Sequence, residues 1–247
     1  MQEDAIVEAA LANAVAVFRP HHEVHGELEF RLGTCDAATG GFSVGVSRET
    51  FEQLQRDMTD VLASDRVWAE TVDYYYVNDA GETLRTRVSF DNRTMTMGRT
   101  HVKKETCVQT TVARDDDPCD ACRVTCCVEH PVSDPPVSAL VNYVRVKQQR
   151  RFVDERDGHV LWNFELSKTW SASTRDAVEY LQYHSEPSYE VECELVDAAG
   201  AYLRDRSDAE IAASILMKIK MLLGEETDGR VHVVAPARPS KKRRTRR

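Results

Sequence analysis

Two short segments near opposite ends of the chain alternate carboxylates with apolar residues. Residues 27–32 read ELEFRL, and residues 189–195 read YEVECEL. In an extended strand, side chains two positions apart share one face at a spacing of about 7 Å, so these carboxylates would repel one another. A hard divalent cation relieves that repulsion, because Mg²⁺ and Mn²⁺ prefer carboxylate oxygens. The pattern therefore predicts a metal site formed by Glu27, Glu29, Glu190, Glu192 and Glu194.

Basic side chains alternate with other residues on the segments between these two. Arg85 and Arg87 share one strand face, and Arg145 and Lys147 share another. If all these faces point into a closed sheet, its interior holds both signs of charge, which is costly unless the charges are paired or occupied. A metal-bound polyphosphate would satisfy both sets, since carboxylates bind the metal while Arg and Lys bind phosphate oxygens. The alternative is that these are solvated outer faces with the intervening valines turned to the core.

The remaining pattern predicts the elements that position these side chains. Helices are expected over 3–18, from Ser47, over 174–184, and from a capping box at Ser207 and Glu210 to a stop at Gly224. Between them the sequence predicts short strands joined by hairpins, at 68–77, 82–90, 93–98, 101–112, 122–129, 140–153, 159–168 and 188–196. The fold expected is α+β, mostly antiparallel, with a sheet that closes on itself and flanking helices.

Charge is distributed unevenly along the chain. Residues 238–247 carry seven basic and no acidic side chains, so removing them changes the net charge from −9 to −16. We expect one domain over residues 1–230 and a basic, disordered tail over 231–247, which could be a nuclear localisation signal or an arm that binds RNA phosphates. The expected location is the nucleus, or a viral or cytoplasmic factory if the source is a virus. No apolar run is long enough for a membrane span.

Taken together, these motifs resemble those of a known family over residues 25–198. The pieces are ELEFR at 27–31, RVTCCVE at 123–129, RVK at 145–147, FELS at 164–167 and YEVECE at 189–194, in the family order. The family is that of the metal-dependent RNA 5′-triphosphatases of fungal, protozoan and viral mRNA capping, which belong to the triphosphate tunnel metalloenzymes. In the first motif, Arg31 makes this sequence resemble the capping branch, because the wider family usually has a lysine at that position.

The resemblance implies an eight-stranded tunnel in which Mg²⁺ or Mn²⁺ meets the 5′-triphosphate end of nascent mRNA. Water would attack the γ-phosphorus in line, as the first step of cap formation. By resemblance, the residues that act on the substrate are Glu129, which orients the water, with Arg87, Lys103, Arg145, Lys147, Arg150, Glu165 and Ser167. The phosphate-binding set would be Arg31, Arg85, Arg87, Lys103, Arg145 and Lys147. The implied partners are 5′-triphosphate RNA and a guanylyltransferase of the capping apparatus.

Three positions depart from the family pattern or stay open. Gln149 stands where a second arginine is usual, and a β-bulge would be needed to bring Arg150 inward instead. Glu165 replaces the usual aspartate. Either Lys103 or Lys104 could face the interior, because strand parity alone does not choose between them.

Other functions are compatible with the same residues. A tunnel phosphohydrolase could act on inorganic triphosphate or nucleoside triphosphates, and a non-catalytic scaffold of the capping complex could bind polyanions. A P-loop motor is excluded by the lack of a GxxxxGK motif, and a cysteine phosphatase by the lack of HCx5R.

Overall fold

The structure is a computed structural model that describes residues 2–23, 25–36, 39–64, 68–78, 80–91, 96–114, 120–134, 140–156, 159–196, 200–224 and 231–234. The helices are α1 (Gln2–Phe18), α2 (Arg48–Val61), α3 (Arg175–His184), α4 (Ala201–Asp205) and α5 (Asp208–Leu222). The strands are β1 (Gly26–Cys35), β2 (Phe42–Val44), β3 (Ala63–Ser64), β4 (Ala69–Val77), β5 (Thr83–Asp91), β6 (Thr96–Arg114), β7 (Ala121–Pro131), β8 (Val141–Arg156), β9 (His159–Ala172), β10 (Ser188–Leu195) and β11 (Val231–Val234).

Eight antiparallel strands close into a barrel, as expected. The order around it is β1, β7, β6, β5, β4, β8, β9 and β10, and the pairing of β10 with β1 completes the circle. Closure brings residues from opposite ends of the chain together, so that Glu29 lies opposite Glu194 and Arg31 lies opposite Glu192. The two carboxylate segments of the sequence are therefore adjacent strands.

The main hydrophobic core lies outside the barrel, between its wall and the helices. On β1, Leu28 and Phe30 are buried against this layer, and Trp162 on β9 and Ile215 on α5 belong to the same cluster. Because side chains alternate across a strand, burying the apolar residues outside turns the charged ones inside. The helical layer thus determines that the barrel interior is polar.

The four predicted helices are present and begin within one residue of their expected starts, whereas the short helix α4 was not predicted. Ser47 and Thr174 cap α2 and α3 through their side chains, and Ser207 and Glu210 form the capping box of α5. The helix α1 packs against α5 on the outside of the barrel, and its residues Leu11 and Val15 are fully buried. Among the described residues, no helix is long and apolar enough to cross a membrane.

Several strands differ from the sequence prediction. Residues 96–98 and the segment expected at 101–112 belong to a single strand, β6, whereas residues 93–95 of the first expected segment lie outside the described residues. A bulge between Thr106 and Val108 lets β6 follow the curved wall. The short strands β2, β3 and β11 were not predicted. Residues 231–234 had been assigned to the tail, but as β11 they pair with residues 111–114 of β6. The folded part therefore extends to Val234, and residues 235–247 lie outside the described residues.

Candidate active site in the barrel interior

Two carboxylates and a thiol come together near the start of β1. Glu27, Glu29 and Cys127 each offer a ligand atom, and these atoms lie within 4.8 Å of one another. Burial raises the pKa of the Cys127 thiol, which stays protonated and lies 3.5 Å from Glu27 Oε2. The carboxylates are therefore the anionic donors of this cluster, and they are of the kind that suits Mg²⁺ or Mn²⁺.

Arg31 joins the first carboxylate strand to the last. Its Nη2 donates to Glu29 Oε2 at 3.0 Å and to Glu192 Oε1 at 3.1 Å. Burial, with the nearby charge of Glu192, raises the pKa of Glu29 to about 7. Burial also acts to raise the pKa of Glu192, but Arg31 and Lys147 outweigh it and hold that pKa well below its usual value. Three of the five predicted metal ligands, Glu27, Glu29 and Glu192, thus meet in one place.

Glu194 completes this acidic group, whereas Glu190 does not. Glu194 lies opposite Glu29, and burial together with the charges of Glu27 and Glu192 raises its pKa to about 8. Glu190 instead accepts hydrogen bonds from Arg145 and from Thr169 Oγ1, the latter at 2.9 Å. Glu190 is therefore inside the barrel but turned to a cation.

Lys104, not Lys103, occupies the interior. Lys104 Nζ lies 2.6 Å from Glu27 Oε2 and 3.1 Å from Glu29 Oε1. Lys103 had been assigned to the site, but its Nζ donates to Glu82 on the outer face at 2.6 Å. The reason is the pairing of Val102 with Arg85, which places Val102 on the inner face and so turns the next residue outward.

Glu129 is held where it could accept a proton. Arg85 Nη2 donates to Glu129 Oε1 at 2.6 Å. Burial and the charge of Glu27 raise the pKa of Glu129, although Arg85 and Lys104 act in the opposite direction. A raised pKa makes this carboxylate a better proton acceptor, which suits the water-orienting role that the resemblance implies.

An ion pair that the sequence analysis missed fixes Arg87. Asp73 on β4 is fully buried and accepts two hydrogen bonds from Arg87, at 2.7 and 2.9 Å. Burial alone would raise the pKa of Asp73, but the hydrogen bonds and charge of Arg87 lower it, so Asp73 is ionised. The signal in the sequence was a lone acid that shares its strand face with Thr71 and Tyr75.

The strands β8 and β9 contribute a second buried group. Lys147 donates to Glu165, and its Nζ lies 3.8 Å from Glu192 Oε2. Ser167, which is 1% exposed, donates to Glu165 Oε1 at 3.2 Å. Glu165 is thus the acceptor for both Lys147 and Ser167, and the longer side chain in place of aspartate reaches both partners.

Arg150 lies on the opposite face of β8 from the site. The pairings of Gln149 with Ala69 and with Ser167 are in regular register, so no bulge turns Arg150 inward. Arg150 instead donates to Ser64 Oγ at 3.0 Å, outside the barrel. The assignment of Arg150 to the site was wrong in this respect, and Gln149 keeps the inward position.

An interior cavity of about 260 Å³ is bordered by many of these groups. Within the described part of the chain, six cations and one carboxylate line it: Arg31, Arg85, Arg87, Lys104, Arg123, Arg145 and Glu29. A space with this lining favours a small, highly charged anion, because several cations can bind its oxygens at once.

The fold and its interior define a barrel with a charged tunnel, and comparisons with solved structures agree on the fold. The S. pombe Pct1 RNA triphosphatase matches with a TM-score of 0.61 and 19% identity, over 87% of this chain and 93% of that one. Pct1 in complex with the Spt5 CTD matches with a TM-score of 0.62 and 18% identity, over 87% and 94%.

A viral structure has the same fold. The RNA triphosphatase domain of a trifunctional mimivirus mRNA capping enzyme matches with a TM-score of 0.54 and 12% identity, over 86% of this chain and 95% of that one. No protein-family profile and no curated protein sequence matches the chain. The expected tunnel fold is confirmed, at identities that show the fold alone.

Proposed function

We propose that this protein is a divalent-metal-dependent RNA 5′-triphosphatase that removes the γ-phosphate from the 5′ end of nascent mRNA. One observation carries the proposal: a single closed tunnel contains a cluster of three carboxylates, those of Glu27, Glu29 and Glu192, beside a cavity lined by cations. Phosphoryl transfer requires positioning and charge neutralisation more than covalent chemistry, and this interior offers both.

The metal would be held by Glu27, Glu29, Glu192 and Glu194. The raised pKa values of Glu29 and Glu194 reflect buried carboxylates that repel one another, and a cation among them would remove the cause. A bound divalent cation supplies positive charge that neutralises phosphoryl oxygens as charge develops.

The chain's own side chains would do the rest. Arg31, Arg85, Arg87, Lys104, Arg145 and Lys147 would bind the triphosphate oxygens. Substrate phosphates compete with the tunnel carboxylates for these cations, so Arg85 could turn from Glu129 to the substrate. Glu129, relieved of that partner, would orient water and accept its proton. Ser167 and Glu165 would hold Lys147 in position.

We further propose a nuclear location, supported by the seven basic residues in 238–247, and a guanylyltransferase as the next enzyme on the same RNA end. Pct1 is in complex with the Spt5 CTD in one of the similar structures, so an Spt5 CTD is another candidate partner. These proposals rest on the sequence of the tail and on the similar fold.

Release of the γ-phosphate from 5′-triphosphate RNA, with and without Mg²⁺ or Mn²⁺, tests the main proposal. We expect metal-dependent release at a higher kcat/KM than with inorganic triphosphate; a preference for inorganic triphosphate would overturn the assignment to RNA.

The Glu192→Gln variant, which keeps the side-chain size, should lower kcat at least about a hundredfold, since it removes a charged group from the site. Glu105→Gln changes a carboxylate on the outer face of β6 and should leave kcat within about twofold, so it serves as the matched control. Equal rates for the two variants would contradict the proposed metal set.

A further inference from the structure

Arg123 on β7 differs from the other cations of the cavity because no carboxylate pairs with it among the described residues. It lines the cavity, and its Nε is buried without a hydrogen-bond partner. Its guanidinium lies 4.6 Å from the centre of the Phe42 ring. Gly33 makes room for this ring, since a Cβ there would lie 2.6 Å from it. The Phe42 ring thus packs against the guanidinium of Arg123, and the Nε donor of Arg123 is unused.

A second cation lies directly beside Arg123. Arg31 and Arg123 are cross-strand partners on β1 and β7, and both face the interior. Like charges at opposite positions destabilise a sheet. Arg31 forms ion pairs with Glu29 and Glu192, whereas Arg123 forms no ion pair with any carboxylate of the described residues. Burial and the charge of Arg31 lower the pKa of Arg123, although the charge of Glu29 acts in the opposite direction. An anionic ligand at this point would remove the imbalance.

The position of Arg123 along the tunnel indicates which anion. Glu129 is near the start of β1, where Gly26 pairs with Val128, whereas Arg123 is near the end where β1 pairs with β2. Glu129 and Arg123 are six positions apart on β7, a distance of about 20 Å along the strand. Arg123 therefore lies beyond the cluster at Glu27 and Glu29 where the proposed reaction takes place.

The proposed function then fixes the direction of the substrate, and the inference rests on that function. In an in-line displacement, the attacking water and the leaving group are on opposite sides of the phosphorus. With water at Glu129, the leaving diphosphate end points toward Arg123. We propose that the RNA leaves the tunnel at the end formed by Arg123 and Phe42, and that Arg123 binds the phosphodiester between the first two nucleotides.

This contact would give the tunnel a preference for polynucleotides. Inorganic triphosphate has no internucleotide phosphate, so it cannot use Arg123 in this way. Phosphate contacts of this kind position a nucleic acid without reading its sequence.

The test compares Arg123→Gln with the wild-type protein on 5′-triphosphate RNA and on inorganic triphosphate. Loss of a charge-assisted hydrogen bond should lower kcat/KM for the RNA about tenfold or more, mainly through KM, with a much smaller loss on inorganic triphosphate. The slope of log kcat/KM against log salt for RNA should become shallower by about 0.7, as one phosphate contact is removed. Arg99→Gln is the matched control, because Arg99 is exposed on the outer face opposite Val88. This variant should leave kcat/KM unchanged for both substrates.

A chemical probe tests the same contact without a variant. A triphosphate-ended dinucleotide with a neutral methylphosphonate linkage should be a poorer substrate than the normal dinucleotide for the wild-type protein. For Arg123→Gln the two dinucleotides should be equivalent.

The outcomes separate the two proposals. Equal losses on RNA and inorganic triphosphate would place Arg123 in the triphosphate site, and no loss on RNA, or no penalty for the neutral linkage, would also overturn the inference. In each of these cases the proposed function stands. A wild-type protein that does not hydrolyse triphosphate RNA would remove the proposed function and this inference with it.

Discussion

Replacing Lys104 by alanine, with Lys103→Ala as its neighbour control, tests which face of β6 belongs to the site. Lys104 Nζ lies within 3.1 Å of both Glu27 and Glu29, so it is placed to neutralise charge on a bound phosphate. At an effective dielectric constant of about 20, a unit charge about 4 Å from a developing negative charge contributes roughly 4 kcal/mol. Such a loss corresponds to about a thousandfold in rate, and solvent entering the vacated space would reduce it to between about 10² and 10³.

The assay is γ-phosphate release from triphosphate RNA at saturating metal, with kcat and KM determined separately. Lys104→Ala should lose kcat by about 10²- to 10³-fold, and Lys104→Arg should recover part of it. Lys103→Ala removes only a partly exposed pair with Glu82 on the outer face, so its kcat should stay within about twofold of wild type. A larger loss at Lys103 than at Lys104 would refute the assignment of the inner face.

Three further changes follow from the same interior. Asp73→Asn leaves the guanidinium of Arg87 without its buried carboxylate. Urea unfolding should show that the free energy of unfolding falls by about 2 kcal/mol, a value reduced because Arg87 is partly exposed. An unchanged urea midpoint would mean that the pair contributes nothing to stability. Gly33→Ala places a Cβ 2.2 Å from a backbone oxygen of β2. In the same assay the free energy of unfolding should fall by about 1–3 kcal/mol. A variant as stable as the wild type would contradict this close approach. In metal-free protein, Glu29 and Glu194 hold protons up to pH of about 7 and 8, above the value near 4.5 of an unfolded glutamate, so stability should fall as pH rises through that window. Mn²⁺ must displace these protons in order to bind. Adding Mn²⁺ should therefore raise the thermal midpoint, relative to a sample with chelator, by more at pH 8 than at pH 6. A smaller rise at pH 8 would contradict the assignment of Glu29 and Glu194 as metal ligands.

Much of the interior could be predicted from the sequence because the two faces of a strand are fixed locally. Once Leu28 and Phe30 are recognised as core residues, Glu27 and Glu29 must lie on the other face, and the same argument places Arg145 and Lys147. The capped helices could also be predicted, since a cap uses residues three positions apart.

Other assignments failed where the face of no neighbouring residue was known, because alternation along a strand then leaves two choices. Lys103 and Lys104 could be told apart only after Val102 was found paired with Arg85 on the inner face. Arg150 required a bulge, and the regular pairing of Gln149 with both neighbouring strands excludes one. A local pattern contains no information about the register of a partner strand.

The sequence by itself determined which side chains share a face and that the interior of a closed sheet would be charged. Only the tertiary structure decided how those charges pair: Arg31 between Glu29 and Glu192, Glu190 with Arg145, and Arg123 with no carboxylate among the described residues. The physical reason is that alternation arises from the geometry of one strand, whereas pairing depends on closure and register between strands that are distant in the chain. Arg31 and Glu192, for example, are 161 residues apart.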